Sequence, residues 1–146
     1  MSVHLTRKDF LKLLETNPGR LIFKFGAGWC GPCKLVMPQC EHFMRQLPRD
    51  KFAFIPVDVE DSFEVYSMLR SKKIVQSVPT LVCYEKGNTN PIAPDYVVIG
   101  ANVEQINYFF QQCTKGMELW FFVFCVLCFV FCVLCFGCCV KKTKLK

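Results

Sequence analysis

A three-layer α/β domain with a mixed sheet, followed by one transmembrane helix, is the architecture that these 146 residues predict. Three observations carry it. Apolar runs of strand length alternate with amphipathic stretches of helix length through residues 1–115, the pattern of helices packed on both faces of a sheet. The last two runs, Thr80–Glu85 and Tyr96–Ile99, are joined by a turn near Gly87 without a helix, so they should pair antiparallel, whereas the earlier alternation needs a parallel pair. Finally, Leu119 to Val140 contains no charged or strongly polar side chain. At about 1.5 Å per residue, a helix of that length spans the roughly 30 Å hydrocarbon core of a bilayer.

Taken in order, Val3–Leu5 reads as a short strand. Thr6 and Asp9 form a capping pattern for a helix over Arg7–Thr16, and Asn17-Pro18-Gly19 ends it. Leu21–Phe25 is an apolar strand closed by Gly26-Ala27-Gly28. A helix begins near Pro32, where a first-turn proline loses no hydrogen bond, and runs to about Leu47 with Pro38 expected to kink it. Phe52–Val57 is a second buried strand, and Asp61-Ser62 opens a helix over Phe63–Lys72. After the antiparallel pair, Asn102 and Gln105 cap a last helix, Val103–Thr114. The chain divides into a domain (1–115), a short linker (116–118), the membrane helix (119–140) and a basic tail (141–146).

Charge and cysteine counts divide at the same place. The formal net charge is +6, but residues 1–118 hold 14 Lys/Arg against 12 Asp/Glu, and the tail lysines supply the rest. A nearly balanced domain lacks the basic patch that nucleic-acid binding needs, so no nucleic-acid partner is expected. Eleven cysteines in so short a chain would suggest a secreted disulfide framework, yet six of them crowd into Cys125–Cys139, inside the apolar run. There, Phe124–Val130 and Phe131–Gly137 form a near-perfect heptad duplication, which places Cys125, Cys128, Cys132, Cys135 and Cys139 on one helix face. Three readings stay open for that stripe: a packing seam for a homodimer, acylation at Cys138 and Cys139, and a low-complexity apolar repeat.

The orientation of this single-pass segment is set by two opposed signals. Residues 1–20 are polar and amphipathic, without a secretory leader pattern, which favours insertion after synthesis and a cytosol-facing, tail-anchored domain. The four tail lysines prefer the cytosolic side, and Lys142-Thr143-Lys144-Leu145-Lys146 is similar to an endoplasmic-reticulum retrieval signal. The first signal outweighs the second, because a folded domain without a leader has no ready route across a membrane, and the endoplasmic reticulum and a virion envelope are both compatible membranes.

Trp29-Cys30-Gly31-Pro32-Cys33 is the most informative stretch. It leaves a buried strand and opens a helix, the context in which C-x-x-C reads as redox-active. The helix amino terminus offers unpaired N–H groups and positive potential to a Cys30 thiolate, lowering its pKa toward about 7. Cys33, one turn further, is placed to attack a mixed disulfide and release the product. A zinc site recruiting Cys40 and His42 is disfavoured, because residues 1–118 hold no second C-x-x-C to close it. Cys83 reads as a small core residue, while Cys40 and Cys113, on helices, are candidates for exposed, redox-sensitive thiols alongside the simpler reading of ordinary thiols.

With these residues in place, the domain resembles the thioredoxin family. The resemblance rests on Trp29–Cys33 followed by Lys34 and Pro38, on Val78-Pro79-Thr80 as a cis-proline loop, on Val57-Asp58-Val59-Glu60-Asp61 as a strand and its exit, and on glycines at Gly87 and Gly100. It implies a thioredoxin fold and a protein-disulfide oxidoreductase. Cys30 would then be the nucleophile and Cys33 the resolving thiol. Trp29, Gly31 and Pro32 would shape the contact surface, and Val78 and Pro79 would meet an extended substrate segment. It implies no cofactor beyond a Cys30–Cys33 disulfide, substrates that are protein disulfides, some of them membrane-associated, and electrons from a thioredoxin reductase or another dithiol donor. Two positions depart from the family. Lys24 stands where a buried acid is usual, and Gly26 where tryptophan is common. A charged Lys24 near the sulfurs would favour thiolate and make the protein more oxidising. Reduction of substrates is the favoured direction, with a lumenal oxidase or isomerase, and a non-catalytic scaffold assembled through the membrane helix, as the alternatives.

Overall fold

The computed structural model describes residues 3–115. The segments 116–118, 119–140 and 141–146, and with them the membrane helix, its cysteine stripe and the basic tail, lie outside the described residues. Among those described, no helix is long and apolar enough to cross a membrane.

The elements run α1 (Arg7–Glu15), β1 (Arg20–Gly26), α2 (Gly31–Gln46), β2 (Phe52–Asp58), α3 (Phe63–Ser71), β3 (Thr80–Glu85), β4 (Tyr96–Ile99) and α4 (Val103–Thr114). They build one sheet of order β2-β1-β3-β4. β1 pairs parallel with β2 and antiparallel with β3, and β3 pairs antiparallel with β4, so the sheet is mixed as expected. α2 runs unbroken through Pro38.

Strand alternation sorts the core into two layers, because successive side chains point to opposite faces. Leu21, Phe23 and Phe25 of β1 join Val82 and Tyr84 of β3 in one buried cluster with Phe10 and Leu14 of α1 and Val65 and Leu69 of α3. Ile22 and Lys24 therefore face the other way, in register with Cys83 and Leu81. That second layer is closed by α2 and α4, which are tied by the stacked rings of Phe43 and Phe110, 4.6 Å apart, and by Gln39 donating to Asn107 Oδ1 at 2.6 Å. Being covered on both sides explains why β1 is a continuous apolar run. It also makes Lys24, only 7% exposed, the residue in β1 that needs explaining.

One expected element changes. Val3–Leu5 is not a strand: Val3 makes only an isolated parallel bridge to Val57. Its neighbours' backbone groups are claimed by a side chain, since Leu5 N–H donates to Ser62 Oγ at 2.9 Å and Ser62 O–H donates to the Val3 carbonyl at 3.3 Å. Ser62 sits at the N-cap of α3 but spends its hydroxyl there and makes no capping bond. The Thr6–Asp9 cap does form, with Asp9 N–H donating to Thr6 Oγ1 at 3.2 Å, as does the Asn102 cap, which accepts from Gln105 N–H at 3.0 Å.

Candidate active site

β1 delivers the chain to the site. After Gly26, Cys30 N–H donates to the Ala27 carbonyl at 3.1 Å, a tight turn that swings the chain off the sheet and into α2. Cys30 is the N-cap of that helix, with Gly31 and Pro32 exposed on its first turn. Cys30 and Cys33 are joined in a disulfide with Cα atoms 5.3 Å apart. Both sulfurs are nearly covered, at 3% and 4% residue exposure, so a partner must reach them along the surface. The Cys33 N–H donates to Cys30 Sγ at 3.2 Å. Cys30 thus occupies the position that Ser or Asp takes in an ordinary cap, and its sulfur receives an orphan helix N–H together with the positive end of the dipole.

Around this pair the other expected residues fall as follows. Trp29, next in sequence to Cys30, is 68% exposed and its indole N–H donates to Glu60 Oε1 at 3.0 Å, which restrains the ring. The Val78–Pro79 peptide is cis. Val78 packs against the cluster that contains Cys30 and Cys33, and the Pro79 carbonyl accepts from Gly100 N–H at 2.8 Å, where Gly100 takes a positive φ of 95°. Lys24 lies on the α2 side of the sheet in a cleft of about 230 Å³ that also touches Cys33 and Asp58. The sequence marks Glu60 only as part of a strand exit and Gly26 only as a missing tryptophan; the contact to Trp29 and the opening beside Lys24 come from the fold. The partner of Trp29 is 31 positions away and only folding reveals it.

Cys40 and Cys113 are fully buried, as is Cys83, so the simpler reading of ordinary thiols holds and the exposed, redox-sensitive alternative does not. Cys40 faces the sheet from α2, and burial pushes its thiol from the ordinary 9.0 up to about 11, with Lys24 pulling it partly back. Cys113 is pushed up by its hydrogen bond to Cys83 and by burial, and the Tyr84 phenol is pushed up by burial and by Asp95. These groups are neutral when protonated, and each keeps its proton to higher pH when folded than when unfolded. Below about pH 8 neither state ionises appreciably and they leave stability unchanged. Above it the unfolded chain releases protons that the folded chain retains, costing up to about 1.4 kcal/mol per pH unit for each group. Urea midpoints should therefore stay flat from about pH 7 to 8 and fall between about pH 9 and 11. A flat profile to pH 11 would contradict the buried thiols.

No group of three or more potential metal ligands occurs among the described residues, and the cysteine–histidine pair considered above, Cys40 with His42, is divided between core and surface. The arrangement that remains is a covered disulfide at a helix amino terminus, flanked by an exposed indole and a cis-proline loop. Such a centre can exchange disulfides.

Comparison with known proteins agrees. The thioredoxin family profile matches residues 1–111. A thioredoxin of Mycoplasmoides gallisepticum is 34% identical over 87 residues, covering 58% of this chain and 78% of the relative. Thioredoxin-2 of Saccharomyces cerevisiae is 37% identical over 79 residues, covering 54% and 70%. Among solved structures, Fasciola hepatica thioredoxin superposes with a TM-score of 0.58 at 26% identity, over 77% of this chain and 98% of its own.

Proposed function

Since this chain belongs to the thioredoxin family, and is a protein-disulfide oxidoreductase with a Cys30–Cys33 redox centre, we propose that it works as a membrane-anchored reductase of protein disulfides. The observation that carries the exchange chemistry in this reading is the Cys33 N–H donated to Cys30 Sγ, because the same bond in the dithiol form stabilises a Cys30 thiolate. In this reading Cys30 attacks the substrate and Cys33 resolves the adduct. Trp29, Gly31 and Pro32 form the rim, and the Val78 backbone pairs with an extended substrate segment across from Pro79. A separate dithiol donor, such as a thioredoxin reductase, returns the electrons.

The anchor is the charge-free run Leu119–Val140. Tethering confines the domain to a surface and raises its effective concentration toward disulfides held there, so membrane-associated proteins are the proposed substrates. The proposed topology places the domain in the cytosol on the endoplasmic reticulum or a virion membrane, with the cysteine stripe as a seam for a homodimer. A second reading, a lumenal oxidase or isomerase, is favoured by one observation: the buried cation at Lys24.

Protease added to intact membranes separates the two. Digestion of the domain while residues 119–146 stay with the membrane is the expected result. Full protection would place the domain in the lumen and overturn the proposed topology.

A further inference from the structure

Lys24 sits on β1 in register with Pro56 of β2 and Leu81 of β3, neither of which has a side chain that can hydrogen-bond or neutralise its amine. The ion pairs among the described residues are Arg20–Glu85 and Arg45–Glu41, and Lys24 joins neither. It makes no hydrogen bond there, yet no sealed polar side-chain atom is left without a partner. Its Nζ is therefore not sealed: it ends in the cleft that also reaches Cys33. Gly26 creates the opening between them. A Cβ built on Gly26 would lie 3.3 Å from Lys24 Nζ and 3.5 Å from Cys33 Sγ, so nitrogen and sulfur are less than about 7 Å apart across the space the missing side chain leaves.

We infer that Lys24 is a tuning residue of the exchange reaction: its ammonium group stabilises the anionic sulfur of reduced Cys33, and the cleft is the route by which the Cys33 proton leaves. In the resolving step the Cys33 thiol gives its proton to cleft water, and its electron pair attacks Cys30 Sγ in the mixed disulfide. The bond between Cys30 and the substrate sulfur breaks, and that sulfur departs as a thiolate that takes a proton from solvent. The dithiol is oxidised by two electrons and the substrate disulfide is reduced by two. A cation beside the sulfur lowers the cost of the first event. It also stabilises the dithiol form as a whole, which makes the protein more oxidising.

The other charges near that sulfur do not supply the same effect. Lys34 lines the cleft but is exposed, so water screens it. Asp58 lines it too, and one of its oxygens accepts Glu60 N–H at 2.9 Å. Cys40 on α2 holds its proton up to about 11 and is no anion at neutral pH. Burial lowers the pKa of Lys24 itself, with Cys40 a weaker opposing influence. An anionic Cys33 returns what burial removes.

The inference rests on the oxidoreductase reading, and the test keeps the two apart. In a glutathione redox buffer, Lys24→Met should shift the dithiol–disulfide equilibrium toward the disulfide by about tenfold, which is roughly 30 mV. Alkylation of Cys33 should then begin at higher pH than in the unsubstituted protein. Lys24→Arg should restore both, whereas Lys34→Met should move neither, a pattern that a purely structural role for Lys24 does not produce. In the unsubstituted protein, NMR should show the Lys24 ammonium titrating at higher pH in the dithiol form than in the disulfide form. Equal Lys24 titration in the two forms, or a Lys24→Met protein with unchanged equilibrium and alkylation profile, overturns the inference while leaving the oxidoreductase standing. Failure of the unsubstituted protein to exchange with glutathione at all overturns both.

Discussion

Cys33→Ser should stop turnover and leave the protein covalently joined to its substrates through Cys30. Cys33 lies one helical turn from Cys30, on the same rigid element, so its attack on the mixed disulfide is intramolecular. Well-oriented intramolecular reactions reach effective molarities of about 10⁵–10⁸ M, against millimolar external thiol. Even after a heavy discount for imperfect alignment, losing Cys33 should slow release by about 10³-fold or more. No other described thiol can substitute, because Cys40, Cys83 and Cys113 are buried in the layer between the sheet and α2 and α4. Non-reducing gels of membranes expressing Cys33→Ser should show adducts that dithiothreitol dissolves and that a second substitution, Cys30→Ser, abolishes. Partners that bind Cys33→Ser and the unsubstituted protein equally, without adducts, would instead identify a scaffold.

The features legible in advance were those whose cause is local. Each cap, Thr6 with Asp9 and Asn102 with Gln105, is written within four residues of sequence and forms as read. The C-x-x-C pair is legible for the same reason, since its strand, turn and helix occupy one continuous stretch. What the sequence leaves open is decided by distant groups. Val3–Leu5 has strand composition, but Ser62, 57 positions from Leu5, takes the backbone bonds that a ladder would have used. Cys40 and Cys113 sit on amphipathic helices whose buried faces depend on how α2 and α4 close over Ile22 and Cys83. Helix identity alone does not reveal that. Lys24 is intermediate: period-two alternation opposes it to Phe23 and Phe25, but its approach to Cys33 depends on the space at Gly26, which only the folded turn creates.

The same alternation gives the largest expected stability effect, and it should leave the chemistry alone. Phe23 is fully buried, its ring 4.9 Å from Phe10 and 6.0 Å from Tyr84, at the centre of the layer that α1 and α3 close. Phe23→Ala removes a whole ring from a site walled by three elements that cannot collapse onto it together. Such truncations cost about 3–5 kcal/mol, out of a total near 5–15 kcal/mol for a domain of this size. At about 4 °C or more per kcal/mol, the melting temperature should fall by roughly 15 °C. Phe63→Ala, on a ring that is 65% exposed, should cost less than about 0.5 kcal/mol and serves as the control. Phe23 shares its buried cluster with Cys30 and Cys33 but faces away from Lys24 and the cleft, so Phe23→Ala protein that is still folded at low temperature should keep its Lys24-dependent equilibrium and most of its exchange rate. A drop of only a few degrees would mean that the α1 side of β1 is not the core that its packing describes. Lost exchange in folded Phe23→Ala would mean that the two faces of β1 are not independent, and that the cysteines owe their geometry to both layers.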